Sequence, residues 1–272
     1  MEEPIRVELS GVSETLLSNL GRRAAAAQAK RPLLRDPLAV QIVRRLDYDF
    51  TDSSRGASLH AVRVRTFDDA VRRFLGRNPA GTVVALGEGV ETQFWRVDNG
   101  RINWLTVDLP PVLDLRRLLP ADPRRRSHSG SALDLHWLDE VEPRSPILVT
   151  AQGLLPYFRR DQVHELIRAM ATRLPGWSFV FDVVPVRMLE VVRGMSGRER
   201  DQAVELWSWL FDDGERAALA AIPGVASIRD LRPPFALGMA PLALYAARCA
   251  PRKLRYSLPV LPVLEARFSG PT

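Results

Sequence analysis

Two glycines and one acid carry most of the readable chemistry in this chain. An apolar run at residues 83–86 enters a Gly-x-Gly turn at Gly87 and Gly89, within VVALGEGVETQFWR. A second apolar run, 104–107, ends in Asp108, 21 residues after Gly87. An open α/β sheet builds a nucleoside site in this way: a strand, a glycine turn where ligand meets backbone, and a carboxylate on the next strand for the ribose hydroxyls. The third position of the dinucleotide fingerprint, where a glycine lets helix and strand close around a pyrophosphate, is Thr92. No Lys-Ser/Thr follows the turn, which excludes a phosphate-cradling P-loop.

A ligand with a ribose and no phosphate fits better, and S-adenosylmethionine is the common one. It needs a cation for its carboxylate, acceptors for its ammonium, a carboxylate for its diol, and apolar walls with one acceptor for adenine. Gly87, Glu88 and Gly89 bring backbone to the methionine end. Asp108, followed by Leu109, is placed for the ribose. Asp134, flanked by Leu133 and Leu135, is placed for the adenine amine, and Arg65 is the candidate partner of the cofactor carboxylate. The histidines show no metal spacing, and no Ser/His/Asp set announces a hydrolase. For a phenolic acceptor a general base is useful, and Tyr157, His60 and His164 are the candidates.

These residues need a sheet with helices on both faces. Apolar runs at 82–86, 104–107, 146–151 and 177–184 read as buried parallel strands, with a helix at 160–174 between the last two. Residues 13–30, 58–77 and a segment restarting at Asp36-Pro37 read as helices, with Ser13 and Asp36 as N-caps. The polar stretch 122–131 reads as connection, and 133–138 as a strand end or loop. After Pro185 the alternation breaks: 186–211 reads as mainly helical, with Trp207, Trp209 and Phe211, and Asp212 opens a capping box with Glu215. Residues 225–231 and 261–268 read as closing strands, with a helix-like segment at 235–249. The division expected is one domain over 1–272, comprising an N-terminal helical extension (1–79), a cofactor-binding half (80–185), a helical lid (186–221) and C-terminal strands (222–272).

The 272 residues, 46% of them hydrophobic, suffice for such a core. A single cysteine, Cys249, excludes intramolecular disulfides and a cysteine-rich zinc site, and reads as buried. No apolar stretch approaches about 18 residues, and the N-terminus lacks a basic-then-apolar leader, so the expected compartment is the cytoplasm, with no membrane partner. The net charge of +6 comes from arginines spread through every segment with acids between them. That pattern favours a solvated surface over a nucleic-acid footprint. Nothing in the sequence separates monomer from dimer.

The chain resembles the leucine carboxyl methyltransferase family, in particular its bacterial branch of tetracenomycin-type polyketide O-methyltransferases and mycobacterial methyltransferases. The resemblance rests on Arg23-Ala24, Asp36-Pro37-Leu38-Ala39, Arg65-Thr66 with Phe67-Asp68-Asp69, Leu86-Gly87-Glu88-Gly89, Phe94-Trp95-Arg96, Val107-Asp108-Leu109-Pro110, Leu133-Asp134-Leu135, and Gly153-Leu154-Leu155 with Tyr157-Phe158. It implies a class I methyltransferase fold: a Rossmann-like, mostly parallel open sheet with its last strand antiparallel, N-terminal helices and a helical lid. It implies S-adenosylmethionine as cofactor, with Arg65 on its carboxylate, Gly87 and Gly89 at its methionine end, Asp108 on the ribose, and Asp134 and Leu135 on the adenine. Two positions depart from the family pattern: Glu91-Thr92-Gln93 stands where much of the family has Asp-Thr-Arg, and Gln152 where a Glu is common. A neutral amide at Gln152 still accepts from the cofactor ammonium. The expected reaction is methyl transfer to a carboxylate or hydroxyl oxygen of a small, apolar or aromatic, polyketide-like acceptor. The rival readings are a nicotinamide-dependent reductase, against which Thr92 argues, a nucleic-acid methyltransferase or binder, and a non-catalytic cofactor-binding protein.

Overall fold

The computed structural model describes residues 5–7, 15–142, 145–193, 205–233 and 261–270. Seven strands form one sheet: β1 (Thr82–Leu86), β2 (Asn103–Asp108), β3 (Arg125–Ser129), β4 (Ile147–Ala151), β5 (Ser178–Asp182), β6 (Val225–Leu231) and β7 (Val263–Phe268), in the order 3-2-1-4-5-7-6. β7 runs antiparallel to both its neighbours, and the other pairs are parallel. The central strands are continuous apolar runs because helices cover both faces. α3 (Ala57–Arg77) packs Phe67, Val71 and Leu75 on one face, and α6 (Arg160–Arg173) packs Val163, Ile167 and Met170 on the other. The strand order reverses between β1 and β4, and register puts Leu86 level with Val107 and Ala151. The residues that follow, Gly87, Asp108 and Gln152, therefore emerge together at the switch point where open sheets bind ligands.

Three local expectations change. The polar stretch 122–131 contains β3, an edge strand bonded to β2 alone, so it needs no continuous apolar sequence. Residues 132–140 form two 3-10 turns, which keeps the loop reading of 133–138 over the strand end. Within 186–221, α7 (Val186–Arg193) is helical, but Trp209 and Phe211 lie outside any helix, are each 1% exposed and belong to the core beside Phe181. Asp212 caps α8 (Asp213–Ala220) by accepting from the Glu215 amide at 2.7 Å. The Glu215 carboxylate does not complete the expected box: it accepts from the Trp209 indole at 2.9 Å, Arg160 at 2.6 Å and His164 at 2.6 Å. A buried indole N–H needs such an acceptor, which explains why the box gives way. The segments read at 8–14, 194–204 and 235–249, including Ser13 and Cys249, lie outside the described residues. Among the described residues no helix is long and apolar enough to cross a membrane.

The N-terminal helices α1 (Thr15–Ala27) and α2 (Pro37–Arg45) are fastened to the glycine loop and α3 by a buried charge network. Arg23 of α1 meets Asp36 at 3.3 Å and Glu91 at 3.1 Å, and donates to the Val90 carbonyl at 2.7 Å. Arg96 of α4 (Gln93–Val97) donates to Asp36 (3.0 Å), Glu91 (2.7 Å), Thr92 (2.7 Å) and both oxygens of Asp68 on α3. Thr92 donates to Asp36 at 2.6 Å, and Gln93 to Asp68 at 3.0 Å. The departure from the family's Asp-Thr-Arg thus lies inside this network. Burial disfavours a charge on Glu91, but Arg23 and Arg96 outweigh it and hold the carboxyl at about 2, below its usual 4.5. A depressed folded-state value gives stability that is complete above pH 4.5 and lost as pH falls through about 2. Denaturant midpoints measured over that window should fall for the wild type and change less in Glu91→Gln, which starts from a lower value at neutral pH.

Candidate active site

The loop after β1 is shaped by two positive-φ glycines, Gly87 (+56°) and Gly89 (+59°). A side chain at Gly87 would also put its Cβ 2.6 Å from Leu154. Asp108, at the end of β2, closes the loop. One carboxylate oxygen accepts from the Gly89 amide at 2.7 Å and the other from the Leu109 amide at 2.9 Å. Glu88 turns the other way: it pairs with Arg116 at 2.8 Å and accepts from Thr106 (2.5 Å) and the Trp104 indole (3.2 Å), so its charge fastens the loop to β2. Arg116 also donates to the carbonyls of Gly89 and Glu91.

A cavity of about 270 Å³ opens above these strand ends. Of the predicted cofactor residues, Gly87, Glu88, Gly89, Asp108, Leu109 and Gln152 line it; Arg65, Asp134 and Leu135 do not. Asp134 instead accepts from the Ser131 amide at 2.9 Å and caps the turn after β3, leaving Ala132 on the wall. Leu135 takes a positive φ of 60° in the same turn. In place of Arg65, Arg63 reaches the cavity. Positions i and i+2 on a helix point about 200° apart, so Arg63 and Arg65 cannot face the same side. Arg63 lies on the buried stripe of α3 with His60, Val64, Phe67 and Val71. A charged residue on an apolar stripe was the signal that would have found it.

The Arg63 guanidinium is aimed by its neighbours. It pairs with Asp182, at the end of β5, at 2.6 Å, and contacts His60 Nδ1 at 3.3 Å. Asp182 also accepts from the Gly153 amide at 2.7 Å. Gly153 has φ +67°, and a Cβ there would lie 3.2 Å from Arg63, so glycine keeps the cation's approach open. Burial, then Arg63 and Arg23, push His60 well below its usual 6.5, so it is neutral. Of the three candidate bases, Tyr157 alone lines the cavity. Its hydroxyl donates to Thr15 at 3.2 Å, and burial pushes its pKa up. His164 is held by Glu215 at α6. Burial also raises Asp108, with the two backbone donors opposing it.

The leucine carboxyl methyltransferase family model matches residues 17–171, more than half of the chain. The chain belongs to the leucine carboxyl methyltransferase family. It is an S-adenosylmethionine-dependent methyltransferase, and its cavity suits that cofactor: a carboxylate at the end of β2, a cation beneath Gly153, and a glycine loop without a phosphate cradle. The methyltransferase is 36% identical over 189 residues to the tetracenomycin polyketide synthesis O-methyltransferase TcmP of Streptomyces glaucescens, covering 68% of this chain and 69% of that one. It is 35% identical over 184 residues to the S-adenosyl-L-methionine-dependent methyltransferase dpfgK of Gibberella zeae, covering 60% and 61%. The structure of the plantazolicin methyltransferase BamL, in complex with a triazolic desmethylPZN analog and SAH, superposes with a TM-score of 0.56 at 10% identity over 95% of this chain and 99% of that one, a likeness of fold. The nicotinamide reading ends here, and Thr92 has a structural role in the charge network instead.

Proposed function

We propose that the enzyme methylates a carboxylate oxygen of a small acceptor with an apolar or aromatic body. The observation that carries this reading is that every acid lining the described cavity is already committed: Glu88 to Arg116, Glu91 to Arg23 and Arg96, and Asp108 to the Gly89 and Leu109 amides. Tyr157 is held protonated by burial. Among the described residues the cavity therefore offers no base for a phenol, whereas a carboxylic acid with a pKa near 4 arrives ionised at neutral pH. The family's name supports the carboxylate, and the name of the Streptomyces relative, an O-methyltransferase of polyketide synthesis, supports an oxygen acceptor on a polyketide-like body.

Bound S-adenosylmethionine supplies an electrophilic methyl group on a sulfonium. The chain supplies position and dryness. Asp108 would accept from the ribose hydroxyls, Arg63 would hold the cofactor carboxylate, Gln152 would accept from its ammonium, and the turns at Gly87 and Gly89 would let the ligand meet backbone. Leu109 and Ala132 would wall the adenine. Leu16, Leu154 and Phe158 also line the cavity and give an acceptor apolar contact. Excluding water strips the nucleophilic oxygen of hydration, and alignment converts a bimolecular step into a local one.

The test is the chemistry of the product. Protein incubated with methyl-labelled cofactor and a series of aromatic carboxylic acids, with the matching phenols, should label the acids. Mild alkali should then release the label as methanol, as a methyl ester requires. Label that survives alkali in a phenol ether would move the reading to hydroxyl methylation.

A further inference from the structure

We propose that a groove at the opposite end of the sheet binds a small molecule carrying adjacent phosphoryl groups. The cofactor cavity lies beyond the C-terminal ends of the parallel strands. The groove lies at their N-terminal ends, where Ile147 of β4 and Ser178 of β5 begin, between α3 and the strand pair β6 and β7. At about 640 Å³ it is larger than the cofactor cavity.

Its charge is unbalanced. Four arginines line it: Arg73 and Arg77 on the helical wall, and Arg229 and Arg267 on the strand floor. One carboxylate, Glu265, opposes them. It is 8% exposed and already shared, with Arg229 at 2.6 Å and Arg267 at 3.4 Å. The neighbouring acids of α3 are also spent, Asp68 on Arg96 and Asp69 on Arg72. Among the described residues Arg73 and Arg77 have no ion-pair partner. They stand one helical turn apart, where like charges repel. The helix C-terminus favours a cation at Arg77 but leaves Arg73 unexplained. The neighbouring Arg72 is engaged elsewhere, donating to the Arg96 carbonyl at 2.8 Å, whereas Arg73 lines the groove.

Guanidiniums on two walls of one groove match the oxygens of adjacent phosphoryl groups by charge-assisted, bidentate hydrogen bonds. Trp177 adds an aromatic surface at the same groove. Concavity chooses the occupant: a nucleic-acid backbone binds along an extended basic surface, whereas a cavity of this size encloses a pyrophosphate or a nucleotide.

The test is calorimetric titration of inorganic pyrophosphate into the S-adenosylhomocysteine-saturated protein at low salt. The site predicts saturable binding that weakens at least roughly tenfold in Arg73→Gln/Arg77→Gln. Both side chains are exposed, so the variant should keep the wild-type affinity for S-adenosylhomocysteine, which reports that the fold is intact. Absence of binding, or equal binding by the variant, overturns the proposal. So does a short DNA duplex that binds more tightly than pyrophosphate and competes with it, which would make the groove part of a nucleic-acid surface.

Discussion

Arg96→Met lowers the stability of the methyltransferase by about 3–5 kcal/mol, the cost of removing one partner from a buried ion network. The side chain is 6% exposed and satisfies Asp36, Asp68 and Glu91 from one guanidinium. Without it Arg23 alone faces Asp36 and Glu91, and Asp68 keeps only the Gln93 amide and a distant Arg72 at 4.0 Å. Three carboxylates then share too little positive charge in a site that water does not reach. Thermal unfolding should shift down by on the order of 10 °C. Arg96→Lys should recover only part of the loss, because an ammonium cannot present the planar fork that reaches four partners. A change of less than about 1 kcal/mol would show that the network relaxes and that hydrophobic contacts hold α1 and α2 in place. The same variant should loosen the glycine loop, since Glu91 and Thr92 follow Gly89 after one residue, Val90.

The second large effect is on binding. Asp108→Asn should weaken S-adenosylmethionine by roughly 10- to 100-fold, the worth of one or two hydrogen bonds to a charged acceptor. Fold stability at neutral pH should change little, by about 1–2 kcal/mol at most, because two effects oppose: the amide's single oxygen can accept from only one of the Gly89 and Leu109 amides, while the cost of a buried charge is removed. Burial raises the Asp108 pKa, so keeping the carboxylate charged in the folded protein costs stability above that value, and the amide removes the cost. The same shift fixes the pH dependence. In the proposed role the ionised form is the one that accepts the ribose hydroxyls, so cofactor affinity should fall as pH drops through a value above the usual 3.8 of aspartate. Titration calorimetry across the acid range should show that fall in the wild type and a flatter profile in Asp108→Asn. Undiminished affinity in the variant would remove Asp108 from the ribose site.

What the chain determines locally could be read without coordinates. β1 at Thr82–Leu86 and β6 at Val225–Leu231 appear with the bounds read from pattern, because turn residues on both sides of a short strand leave few alternatives. The α2 cap at Asp36 follows from side-chain chemistry within four residues. The Gly87, Gly89 and Asp108 constellation follows because a strand, a short crossover and a second parallel strand bring those ends level. Tertiary structure decided everything that depends on rotation, partners or competition. It chose Arg63 over Arg65 because the helix can present only one of two residues about 200° apart. It gave Asp134 to a turn because a nearby Ser131 amide competes for its carboxylate. It turned Glu88, Glu91 and Gln93 inward because their partners come from Arg116, Arg23, Arg96 and Asp68, which no local pattern links. It put Trp209 in the core because Glu215 was there to accept its N–H. Local propensity acts over a few residues, whereas the pairing of buried charges is set by which segments the sheet brings together.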